Sequence, residues 1–158
     1  MAKKAKRNVR AAKSKDVDKG IVVLILLLLL GAVPTIIEEQ ISVSKFTSYT
    51  DVTVPLEAKG FEVEYTDTVQ QPFFAISGDS FKVGSEEIQV FVYPDEESAI
   101  SDASKINSDG GGSNEIQVLW VAPPHFYRNG AVIILYVGSD EPLMHELEHV
   151  LGPQFAGR

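Results

Sequence analysis

The chain contains no cysteine, which excludes disulfide scaffolds, thiolate metal sites, thiol nucleophiles and lipid attachment through a cysteine side chain. Positive charge is scarce beyond residue 20. Of the 14 Lys and Arg in 158 residues, eight lie in the first twenty, where Asp16 and Asp18 are the only acids. The net charge of −8 thus averages a tail at +6 and a remainder at −14. Charge of either sign is missing altogether from Ile21 to Ile37. The length fits one ordinary domain plus an appendage and is too short for most two-domain enzymes.

The uncharged run has 17 residues, a helix of about 25 Å against a hydrocarbon core of about 30 Å. Snorkelling of Lys19 and interfacial placement of Glu38 and Glu39 make up the difference. Residues 1–20 are then a basic cytoplasmic tail, 21–37 a transmembrane anchor, 38–51 a polar Ser/Thr-rich tether, and 52–158 an exported domain, oriented by the positive-inside rule. A cleaved signal peptide with Leu30-Gly31-Ala32 at its end is the competing reading. A soluble core helix fits poorly, because the Leu/Ile/Val run has no polar face. The tail's place against the run favours topology and anionic lipid over nucleic acid, so no nucleic-acid partner is expected.

Within the exported part, periodicity predicts an α+β fold with a mostly antiparallel sheet and two or three packed helices, preceded by the one N-terminal transmembrane helix. A short helix is expected from Val54 to Lys59, stopped by Gly60. Strands are expected at Phe61–Tyr65, Phe73–Ile76, Phe81–Val83, Glu87–Tyr93 and Glu115–Val121, with a turn at Gly84-Ser85. Ala131 to Val137 is continuously apolar, as a central strand covered on both faces should be. A helix starting at Asp95 carries Ala99, Ile100, Ala103 and Ile106 on one face, and a last helix starts at Asp140 with Pro142 in its first turn. The run Asp109 to Asn114 reads as a loop, since it leads into a predicted strand and lacks the Lys-Ser/Thr of a phosphate cradle.

The stretches Trp120–Gly138 (WVAPPHFYRNGAVIILYVG), Leu151–Gly157 (LGPQFAG) and Glu86–Ala99 (EEIQVFVYPDEESA) resemble a group of small bacterial membrane-attached and lipoprotein-like exported proteins. The resemblance covers about two-thirds of the chain and implies an envelope location and a compact domain, with no chemistry attached. Many members of that group carry a lipidated cysteine after the hydrophobic stretch. This chain has none, which leaves the helix itself as the anchor.

One motif carries chemistry. His145-Glu146-Leu147-Glu148-His149 matches H-E-x-x-H, in which two histidines one turn apart bind zinc and the glutamate, here Glu146, activates the bound water. Two features oppose a zinc hydrolase. At about 100° per residue, Leu143, Met144, Leu147, Val150 and Leu151 form the apolar stripe and leave His145 and His149 on the water side. Phe155 stands where a third histidine belongs in one large zincin class, and the chain runs only nine residues past His149. His125 is the remaining histidine that a three-ligand site needs. The expectation is therefore no catalytic residue, no cofactor and no metal, with zinc on His125, His145 and His149 as the alternative.

A second segment, Ala122 to Gly130, holds His125, Phe126, Tyr127 and Arg128 behind two stiffening prolines at a hairpin-like connection. Rigid aromatic and Arg side chains make binding anchors; the opposing reading has Phe126 or Tyr127 closing the core and Arg128 pairing with an acid. Together these features predict a non-enzymatic, membrane-anchored binding or accessory protein with a partner in the envelope. A zinc hydrolase and a small-ligand or cell-wall sensor are the rivals.

Overall fold

Two tight hairpins organise the sheet. In each, two residues join the strands, and glycine holds the first loop position with positive φ: Gly84 at +61° and Gly130 at +56°. That is the place a type II′ turn reserves for glycine, and it matches the right-handed twist of the flanking strands. The computed structural model describes residues 45–113 and 116–157. The tail, the uncharged run and most of the tether lie outside them.

The elements are α1 (Thr50–Ala58), β1 (Val63–Gln70), β2 (Ser77–Val83), β3 (Glu86–Val92), α2 (Glu96–Ala103), β4 (Pro124–Asn129), β5 (Val132–Val137), α3 (Glu141–Leu151) and β6 (Ala156–Gly157). All neighbours pair antiparallel in the order β1-β2-β3-β5-β4-β6, so the α+β class with a mostly antiparallel sheet and three helices holds. β5 is interior, as its unbroken apolar run requires. Val132, Ile134 and Tyr136 face one side, Ile133 and Leu135 the other, and all five are buried.

The side of Val132 and Ile134 is covered by α1 through Val52 and Leu56 and by α3 through Leu143, Leu147 and Leu151. The helix stripe read from the sequence is the buried one. Aspartates start both later helices: Asp95 accepts from the Ser98 amide at 2.7 Å and Asp140 from the Leu143 amide at 2.8 Å. Each satisfies a donor that helix geometry orphans. The opposite side is aromatic, with Phe73, Phe74, Phe91 and Phe126 in mutual edge contact at 4.5 to 6.4 Å and Trp120 joining from a loop.

Four local expectations are corrected. Phe73–Ile76 is a turn, because Phe73 and Phe74 are both buried in one cluster, whereas neighbours in a strand point to opposite faces. Glu115–Val121 is not a strand. Its described part pairs only through an isolated bridge at Gln117, with Val118 and Trp120 packed inward and Leu119 and Val121 wholly exposed. α2 ends at Ala103 and leaves Ile100 46% exposed while Asp102 is buried at 3%. Ala122–Gly130 is largely strand β4, with Pro124 at its first residue, where a missing N–H is tolerated.

The packed body also begins before residue 52. The Ala131 amide donates to the Phe46 carbonyl at 2.8 Å, Lys45 pairs with Glu96 at 2.6 Å, and Asp51 accepts from the Thr47 and Ser48 amides. Among the described residues no helix is long and apolar enough to cross a membrane.

Candidate functional site

Strand geometry divides the four side chains expected to act together as anchors. In β4, His125 and Tyr127 point to the α1/α3 side, while Phe126 and Arg128 point to the aromatic side. His125, Phe126 and Tyr127 are at most 2% exposed. Arg128 reaches the surface, 3.8 Å from Glu96, which Lys45 also holds.

His125 is sealed by its hydrogen bonds. Its Nε2 lies 3.2 Å from the Gly138 carbonyl oxygen and its Nδ1 2.8 Å from Gln154 Oε1, with the ring stacked on Tyr136 at 5.8 Å. Both ring nitrogens thus face an oxygen within the fold and are taken up by these contacts. Neither nitrogen is left for a metal.

The H-E-x-x-H helix is α3. His145 and His149 are exposed, as the stripe predicts, but Glu146 is buried at 8%. Its carboxylate meets the Lys59 ammonium, Oε1 at 3.2 Å and Oε2 at 3.4 Å, and the His149 ring at 3.6 Å. The zinc-water base of the motif is thus occupied in tying the end of α1 to α3. Zinc does not fit these residues: the glutamate is neutralised by lysine, and the third histidine is committed elsewhere. Among the described residues, no three His, Asp or Glu side chains are placed to hold a metal ion.

Sequence reasoning missed a buried carboxylate. Asp102 Oδ2 accepts from the Ala75 amide at 2.7 Å and the Tyr93 hydroxyl at 2.9 Å, and Oδ1 accepts from Lys105 at 2.5 Å. Burial pulls the Asp102 carboxyl upward, but the Ala75 amide, Lys105 and the Tyr93 hydroxyl together outweigh it and hold it below its ordinary range. Burial, then the same carboxylate, pushes the Tyr93 hydroxyl far up. Two shallow concavities of about 510 and 490 Å³ flank Lys105, one over Phe73 and Phe74 and the other over Tyr93 and Asp102. With every Asp102 oxygen satisfied, this cluster clamps the Phe73–Phe74 turn to α2. Asp102 is absent from the apolar face that the periodicity of α2 marks, so it gave no signal of burial.

The edge strand β1 was missed in extent. It runs on from the predicted Tyr65 to Gln70, and only Val63 and Val69 are even half-buried. No family model, curated protein or solved structure matches the chain.

Proposed function

We propose that the chain is a single-pass membrane protein whose α+β domain lies outside the cytoplasmic membrane and acts by binding an envelope partner, without catalysis. The observation that carries this reading is the basic tail set directly against an uncharged run of 17 residues. The resemblance of the Trp120–Gly138 and Leu151–Gly157 stretches to small exported bacterial proteins supports the same location. The binding role is supported by how the chemistry-bearing groups are used: Glu146 ties two helices together, His125 is sealed in the sheet, and Asp102 is a clamp. No resident metal belongs to this reading.

Protease added to intact spheroplasts is expected to remove the domain and leave a fragment containing the tail. A protected domain with a digested tail overturns the orientation, and a chain absent from the membrane fraction overturns the anchor.

A further inference from the structure

β1 is an outer strand of the sheet, and five of its central residues, Glu64 to Thr68, are exposed. The opposite outer strand, β6, has only two residues. β1 therefore offers a long row of backbone groups that no described strand pairs, the template on which an extended peptide adds to a sheet.

The side chains on that edge are sorted by a bulge. The register passes from Glu64↔Lys82 and Tyr65↔Phe81 to Asp67↔Ser80, with Thr66 as the extra residue. Lys82 and Ser80 alternate onto one face of β2, so the bulge brings Glu64 and Asp67 onto that same face, although they are three positions apart. Glu62 is exposed just before the strand, and Lys82 is the one base placed opposite β1. On the other face, Tyr65 meets Phe81 edge-on at 5.8 Å and Tyr49 stacks on it at 5.7 Å. Both tyrosines remain about half-exposed, at 54% and 45%. The edge thus has an acidic side and an aromatic side.

We infer that β1 is the docking edge for an extended segment of a partner protein that alternates basic and apolar side chains, adding antiparallel or parallel to β1 with its basic set over Glu64 and Asp67 and its apolar set over Tyr65 and Tyr49. The inference deepens the binding role proposed above and rests on it. A second copy of this chain is a poor occupant. Antiparallel self-pairing through β1 sets the Glu64 and Asp67 pairs of both copies on one face across the join, where like charges repel. The acids that repel a copy attract a basic strand.

The test uses the full chain in detergent and a short synthetic peptide alternating lysine and valine. Binding is expected to slow hydrogen exchange at amides within residues 63–70 and to weaken with salt. The double variant Glu64→Gln/Asp67→Asn keeps a side-chain acceptor for the Thr68 amide and sets no like charge opposite Lys82, so it is expected to keep the melting temperature and to bind about tenfold more weakly. A peptide of the same charge with alternate N-methylated amides is expected not to bind, since strand addition needs its N–H groups. Absence of binding, binding indifferent to N-methylation, protection outside β1, or concentration-dependent protection of β1 without peptide overturns the proposal. None of these outcomes touches the anchor, which the protease experiment tests separately.

Discussion

Glu146 shows how a residue's neighbours reassign its chemistry. In the motif it is a base; in the fold it is the buried half of an ion pair whose other half, Lys59, is half-exposed. Sequence reading alone makes Glu146→Gln silent, whereas the Lys59 contact predicts a loss of about 1 kcal/mol, modest because one partner is hydrated. Chemical denaturation of Glu146→Gln, Lys59→Met and the double variant checks it. The two single losses should not add, and additive losses would remove the pairing from the account.

Asp102 makes a second prediction, with a sign fixed by its lowered acidity. A carboxylate held below its unfolded value of about 3.9 contributes stability that is fully present above that pH and drains away as pH falls through the folded value. The stability gap between the parent chain and Asp102→Asn is therefore expected to be widest near neutrality and to shrink in acid. A gap that is flat with pH would mean that the hydrogen bonds matter and the charge does not.

Among the elements, those with one strong period were legible. β5 is apolar at every position and becomes central; α3 repeats its leucines at helical spacing and buries them; Gly84-Ser85 marks a turn and makes one. Leu147→Asp is expected to unfold the domain, because a fully buried leucine becomes an unpaired charge at a cost of several kcal/mol. An unchanged melting temperature would contradict the packing of α3.

The illegible elements share a cause, which is that tertiary contacts outrank local pattern. β4 was hidden by its prolines and Phe73–Phe74 by its strand-like composition. The rotation of α2 depends on Tyr93 and Ala75, which lie outside the helix and so outside its period. Of the candidate site, the zinc motif and the exposure of its histidines could be read in advance. The sealing of His125 could not, because Gly138 and Gln154 reach it only through the fold.

For the whole molecule, Tyr136 ties sheet to helix. Its hydroxyl donates to Glu86 at 2.8 Å and accepts from the Asp140 amide at 2.9 Å, linking β5 to the start of β3 and to the cap of α3. A Cβ at Gly138 would collide with that hydroxyl, so glycine is required there by space. Burial raises the Tyr136 hydroxyl to about 12, with the Glu86 carboxylate adding to it. Tyr127 rises to about 12 through burial and then the Glu148 charge. Because both folded values exceed the unfolded value of about 10, the stability they carry is complete below that pH and is lost as pH climbs toward 12. In a variant carrying Tyr49→Phe and Tyr65→Phe, which removes the two half-exposed tyrosines, tyrosinate absorbance and circular dichroism followed together in base should therefore change in one transition, and tyrosine ionisation well before unfolding would contradict the burial.

The strand order also sets a sequence of events for the newly made chain. β1, β2 and β3 follow one another through short connections, but β3's other neighbour is β5, which follows β4 in the chain and lies inside it in the sheet. Until the β4–β5 hairpin arrives as a unit, β3 presents Ile88, Val90 and Phe91 on a bare edge. Local pairing is fast and the long closure from Val92 to Val132 is slow. The interval between them is when this chain is most exposed to aggregation and to proteolysis.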